Sequence, residues 1–359
     1  MINVTKAFLP PIEEYQRHVA DIFERAWLTN NGPLVNDLEL SLKEYLNIPH
    51  MLFLNNGTIA IQMAIKALKL KGEIITTPFS YVATTSSLIW ENCKPVFVDI
   101  SERTFNIDPN KIEEAITPAT SAILATHVFG NPCDVIAIKA IADKYNLKII
   151  YDAAHCFGTK INGRSIFEYG DISTTSFHAT KLFHTIEGGA VFTMNPELLK
   201  TLSLFRNFGH TSPVTFDGAG INAKNSEFHA AMGLCNLKYI DNILSRRKEQ
   251  WLHYIDLLKG LKVQFLNLTP GSDFNYAYFP IVFESEVALL KSIESLNLQY
   301  VYPRRYFYPS LNTLGYVEYK SCPISESIAS RILCLPLFHD MKSADQRMIA
   351  RVLLRVQNN

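Results

Sequence analysis

The sequence predicts an α/β protein in which a mostly parallel sheet forms a large domain and a smaller α+β domain follows. Three observations lead there. Short, continuous apolar runs at residues 51–54, 73–77, 95–99, 122–126 and 149–152 are the pattern of strands buried on both faces. Segments of helical period separate them, and regular alternation of strand and helix points to a parallel sheet. The 359 residues, 48% of them hydrophobic, suffice for a large core and more than one domain.

Residues 1–11 end in Leu9-Pro10-Pro11 and read as an extended arm, since the two prolines cannot continue a helix. A helix over 12–27 follows from apolar residues at Ile12, Tyr15, Val19, Ile22, Phe23 and Ala26, and Asn30-Asn31-Gly32-Pro33 ends it in a turn. A second helix spans 36–46. After the 51–54 strand, Asn55-Asn56-Gly57-Thr58 turns the chain into a helix over 59–70. Helices over 84–92, 109–116 (with Asp108 as N-cap and Pro109 at the first position) and 134–145 alternate with the remaining strands. A helix at 196–205, a glycine-rich loop through 207–220 and one strong helix over 226–245, capped by Asn225 or Ser226, complete the large domain at residues 1–245. The small domain is placed at 246–359. It contains a strand near 278–283, a helix near 287–295, an aromatic stretch at 302–308 and a final helix over 343–356.

Lysine plus arginine equals aspartate plus glutamate at 34 each, and Ser245-Arg246-Arg247-Lys248 is the densest basic segment. That balance argues against nucleic acid or an anionic membrane as a partner, and the segment reads as the solvated turn of a long helix. The six cysteines are scattered without a C-x-x-C pair or zinc spacing, as expected of reduced, buried thiols in a cytoplasmic protein. No signal peptide or membrane-length apolar run is apparent.

Lys181 stands out because it has no charged neighbour within five residues and a glycine pair, Gly188-Gly189, just downstream. A lysine turned inward loses hydration, its pKa falls, and its amine becomes a nucleophile able to form a Schiff base with an aldehyde cofactor; the same residue could instead be a simple turn lysine. Functional groups of such a sheet gather at the carboxyl ends of its strands. Four features fall there: the Gly57-Thr58 turn, Phe79, the Asp152-Ala153-Ala154-His155 run and Lys181. Gly57 and Thr58 open a helix and either seat a phosphate on its free N–H groups or make an ordinary connection with Thr58 as N-cap. Asp152, after an apolar strand, needs a cationic or hydrogen-bonding partner or serves as a cap; His155 is a ligand contact or a satisfied core histidine. A metal shared by Asp152 and His155 lacks a third ligand at recognisable spacing, His178 and His184 being the candidates.

These residues occur within an ordered series of motifs: Asn56-Gly57-Thr58, Pro78-Phe79-Ser80-Tyr81-Val82-Ala83-Thr84, Phe105-Asn106-Ile107-Asp108-Pro109, Asp152-Ala153-Ala154-His155, Ser176-Phe177-His178-Ala179-Thr180-Lys181 and Glu187-Gly188-Gly189. Nearly the whole chain resembles the DegT/DnrJ/StrS sugar-nucleotide aminotransferases. The resemblance implies the aspartate aminotransferase fold (fold type I) with a mostly parallel seven-stranded sheet, and pyridoxal 5′-phosphate as cofactor. It also implies a homodimer with shared active sites. Lys181 would be the Schiff-base lysine and the acid/base; Asp152 would face the ring nitrogen and His155 the ring hydroxyl. Phe79 would stack on the ring, while Gly57, Thr58 and Ser176, with Asn222 from the neighbouring subunit, would bind the phosphate. Where relatives follow that asparagine with an aromatic residue and an arginine, this chain has Ala223 and Lys224.

The implied reaction is transamination from L-glutamate to a nucleotide-linked keto sugar, serving polysaccharide or antibiotic sugar synthesis. The run from His178 to Gly189 is similar to members that aminate C4 of dTDP-4-keto-6-deoxyglucose, with C3 amination as the alternative. A dehydratase is disfavoured by the presence of Lys181, a cofactor-binding regulator by the complete set of contacts, and a dinucleotide dehydrogenase by the absence of G-x-G-x-x-G after the first strand.

Overall fold

The computed structural model describes residues 1–358; Asn359, the last residue of the expected small domain, lies outside the described residues. The arm begins with a short strand, β1 (Ile2–Asn3), and leads to helices α1 (Ile12–Arg25) and α2 (Pro33–Leu46). Strand β2 (Met51–Leu54), helix α3 (Gly57–Ala67), β3 (Glu73–Thr76), α4 (Val82–Trp90), β4 (Lys94–Phe97), β5 (Thr120–Thr126), α5 (Val135–Tyr145) and β6 (Lys148–Asp152) then alternate as expected. A small hairpin, β7 (Lys160–Ile161) and β8 (Arg164–Ser165), precedes β9 (Ile172–Ser176) and β10 (Gly189–Phe192).

Seven of these strands form one sheet in the order β2-β10-β9-β6-β5-β3-β4. All neighbours run parallel except β10, which is antiparallel to both β2 and β9. Alternate side chains enter two cores: Ile123 and Ala125 join α2 and α5 on one face, and Ala122 and Leu124 meet α3 on the other. The apolar runs are unbroken because both faces are covered.

Several expectations change. Residues 109–116 form two single 3₁₀ turns, Pro109–Lys111 and Glu113–Ala115, rather than a helix. The glycine-rich loop carries a short hairpin, β11 (His210–Ser212) and β12 (Thr215–Phe216), after α6 (Pro196–Arg206). The helix expected over 226–245 divides into α7 (Glu227–Leu237) and α8 (Ile240–Leu257). Tyr239 sits at the break, with φ −107° and ψ 0°, and its hydroxyl hydrogen-bonds the Glu14 carboxylate of α1. The expected domain boundary at 245/246 therefore falls inside the continuous α8. Arg247 in that helix is buried, not solvated, and donates to the carbonyls of Ala277 and Leu337.

The C-terminal part builds an antiparallel sheet from β13 (Val263–Phe265), β15 (Phe279–Phe283) and β17 (Ile332–Leu335). Strand β14 (Ser272–Asp273) pairs back onto β7, and β16 (Val301–Tyr302) pairs in parallel with β1. Helices α9 (Glu286–Asn297), α10 (Pro323–Arg331) and α11 (Ser343–Gln357) complete this part. The N-terminal arm thus pairs with a strand of the C-terminal part. All six cysteines are buried and unpaired, and no described helix is long and apolar enough to cross a membrane.

Candidate active site

The carboxyl ends of β2, β3, β5, β6 and β9 converge on one cavity of about 310 Å³, closed from the other side by Tyr278, Tyr306 and Phe307 of the small domain. Its lining includes Gly57, Thr58, Asp152, His155, Ser176 and Lys181, so six of the eight residues picked out in the sequence meet there. Folding joins positions more than a hundred residues apart, because each lies just beyond a strand of the same sheet.

The turn into α3 is shaped by close packing. A Cβ on Gly57 would lie 2.9 Å from the Ser176 Cβ, and one on Gly189 would lie 2.4 Å from the Asn56 carbonyl carbon. Bare backbone is therefore required at both positions. The helix is capped by Asn56, whose side chain accepts from the Ile59 N–H at 2.8 Å, rather than by Thr58. Thr58 is thereby left free to face the cavity. At the first positions of a helix the N–H groups of Gly57 and Thr58 have no intrahelical acceptor, and with the Ser176 side chain beside them they suit an anion.

Asp152 is buried at the end of β6. It accepts from the Thr84 hydroxyl at 2.7 Å and from the Ala154 N–H at 3.1 Å. Burial raises its pKa, while these two donors and the Lys181 charge oppose the rise. Lys181 has its pKa lowered to about 8 by desolvation, against the pull of Asp152. The lysine backbone N–H donates to the His178 carbonyl at 2.9 Å, closing a tight turn that aims its side chain into the cavity. His155 lies with its ring parallel to Phe307, at an interplanar angle of 7°. Burial holds its pKa well below the usual imidazole value, and its buried Nδ1 has no hydrogen-bond partner in the protein. An orphaned, neutral ring nitrogen beside a desolvated amine and a buried carboxylate fits a polar aromatic cofactor such as pyridoxal 5′-phosphate.

Two selected residues lie elsewhere. Phe79 is fully buried against Phe105, Phe129 and Phe307 and does not line the cavity. The chain reverses direction after β3, so its first aromatic residue enters the core and the second, Tyr81, reaches the cavity wall. Tyr81 replaces Phe79 as the candidate for the ring face. Asn222 is exposed, bridged to Asn207, and outside this chain's own cavity. Nearby Lys224 donates to the Asn207 Oδ1 at 2.7 Å and lies over the Phe208 ring at 5.0 Å, lining an open hollow with His210.

Sequence reading missed the residues that support the lysine turn. The Thr84 hydroxyl orients Asp152. Asn225 does not cap α7; its amide donates to the carbonyls of Leu54 at 3.3 Å and Glu187 at 3.0 Å. His184, buried, faces the Phe8 carbonyl with Nε2 at 2.7 Å and accepts from the Ile186 N–H on Nδ1 at 3.2 Å. Ile186 holds φ +69°, a left-handed conformation that costs a β-branched residue about 1–3 kcal/mol. The arm and His184 hold that strained turn in place.

A family model described as the DegT/DnrJ/EryC1/StrS aminotransferase family matches residues 11–354. The chain is 43% identical to the dTDP-4-amino-4,6-dideoxy-D-glucose transaminase of Shigella dysenteriae, covering 95% of each chain. It is 38% identical to the Escherichia coli enzyme of the same name, covering 98% of each. Among solved structures, DesI in the presence of its TDP-sugar product superposes with a TM-score of 0.93 at 30% identity, covering 99% of this chain and 93% of that one.

Proposed function

We infer the reaction from one premise: this chain belongs to the DegT/DnrJ/EryC1/StrS aminotransferase family and is a pyridoxal phosphate-dependent transaminase. Its substrates are taken to be L-glutamate and dTDP-4-keto-6-deoxyglucose, with the amine delivered to C4 of the sugar. The observation that carries the C4 reading is the near full-length similarity to two transaminases named for dTDP-4-amino-4,6-dideoxy-D-glucose. C3 amination has less support. The six buried thiols fit a cytoplasmic setting.

When bound, pyridoxal phosphate supplies an aldehyde that exchanges for the donor's amine and a ring that accepts the electron pair of a broken C–H bond. The protein's residues prepare both. Lys181, with its pKa lowered to about 8, presents an amine that is substantially neutral at mildly alkaline pH and would accept and return a proton at its Nζ. Asp152, fixed by Thr84 and Ala154, would face the ring nitrogen with its carboxylate. His155 offers its unpartnered Nδ1 toward the ring substituents. Gly57, Thr58 and Ser176 would hold the phosphate, and Tyr81 would cover a ring face.

A second copy of the chain completes the reading. Leu9, Ile12, Phe23, Trp27 and Leu28 near the N-terminus, with Phe208 and Phe216 by the hairpin, are exposed apolar side chains suited to burial between subunits. Asn222, outside its own cavity, would then serve the neighbour's phosphate site. The protein should be yellow when saturated with cofactor and change absorbance on adding L-glutamate. Incubation with the 4-keto sugar nucleotide and its 3-keto isomer, followed by NMR location of the new amine, tests the regiochemistry; an amine at C3 refutes the C4 assignment.

A further inference from the structure

His178 and Glu187 lie on the wall of the same cavity as Lys181 and have no part in the chemistry above. The His178 Nε2 stands 3.5 Å from the Glu187 Oε1, and both side chains are about half exposed. The histidine's tautomer is set locally: the Thr180 N–H donates to Nδ1 at 3.2 Å, and the Thr180 hydroxyl lies 2.8 Å from the same atom. With Nδ1 occupied as acceptor, the ring proton resides on Nε2, facing the carboxylate and the cavity.

Glu187 is equally well anchored through its backbone. Its carbonyl accepts from the Asn225 amide at 3.0 Å and from the Thr185 hydroxyl at 2.8 Å. Ile186, immediately before it, sits in the left-handed region and is tied to His184. The pair is thus an oriented donor and an oriented acceptor held on a rigid turn beside the reactive lysine. Such a pair matches a ligand that both donates and accepts at neighbouring atoms. Adjacent sugar hydroxyls do this. The dicarboxylate donor does not, because its carboxylates would face the carboxylate of Glu187.

We propose that His178 and Glu187 form a clamp for two adjacent hydroxyls of the nucleotide-linked hexose, an inference that rests on the keto-sugar reading above. The pair selects and orients the acceptor and takes no part in the glutamate half-reaction. The test uses the cofactor-loaded enzyme and follows the two half-reactions separately by absorbance. Glu187→Gln and His178→Phe are each expected to lower kcat/KM for dTDP-4-keto-6-deoxyglucose by about 10- to 100-fold, with the glutamate half-reaction held within about threefold. The unaltered enzyme should lose a similar factor on the analogue lacking the C3 hydroxyl, and the variants little more. Equal loss in both half-reactions overturns the clamp and makes the pair a support for Lys181. Variants that still discriminate the deoxy analogue as the unaltered enzyme does also overturn it. An unaltered enzyme that reacts with glutamate but ignores the keto sugar overturns the substrate reading itself, and the clamp with it.

Discussion

The enclosed end of the cavity, around Lys181, and the region around Asn222 are built in opposite ways. At the enclosed end, Asp152, Lys181 and His155 are surrounded by five strand ends, and their positions are set by partners within the same chain. Around Asn222, Lys224 and the hairpin of β11 and β12, the surface is an open hollow of about 530 Å³ flanked by exposed Phe208 and Phe216. One region is preorganised by its own fold; the other is left open by it. Electrostatic work depends on the first kind of construction, because desolvation is what shifts Lys181.

Substitutions can sharpen that contrast. Lys181→Ala should lower turnover on the order of 10⁴-fold or more while cofactor binding persists at saturation, and substantial residual transamination would refute its role. Asp152→Asn keeps the shape but removes the charge, so a loss of about 10²–10³-fold is expected in both half-reactions. Asn222→Ala, in the open region, should weaken cofactor affinity only about tenfold, read by equilibrium titration. A protein found monomeric by sedimentation at working concentration, yet fully active, would break the comparison.

The smallest effects separate the two aromatic residues and the pH behaviour. Phe79→Leu should cost stability by about 1–2 kcal/mol in denaturant titration with kcat nearly unchanged. Tyr81→Ala should leave stability in place and raise the cofactor Kd by a factor of about 3 to 10. For the cofactor-free protein, capture of pyridoxal phosphate should accelerate with a midpoint near pH 8, where the Lys181 amine loses its proton. The unfolded lysine, at its ordinary 10.5, holds a proton that the folded one has released between pH 8 and 10.5, so this group's destabilising effect is full below 8 and is relieved across that window.

Much of the fold was legible because burial on both faces leaves a local mark. The strands ending at Leu54, Thr76, Thr126 and Asp152 read as apolar runs, and the parallel order follows from their alternation with helices. Short-range geometry was less legible. The break at Tyr239 comes with a contact to Glu14, and the burial of Arg247 depends on carbonyls of Ala277 and Leu337. No local pattern reports a partner that distant in sequence.

The sequence by itself determined the sheet and, by the likeness of its motifs, the family, and it singled out candidate site residues, since each rests on residue type and spacing along the chain. Only the tertiary structure decided which way side chains point: Phe79 into the core and Tyr81 to the cavity, Asn56 rather than Thr58 as the cap, Asn225 to the lysine turn. It also set the lowered pKa of Lys181 and placed His178 opposite Glu187. Desolvation and side-chain direction are properties of the packed surroundings, and those exist only once segments a hundred residues apart have met.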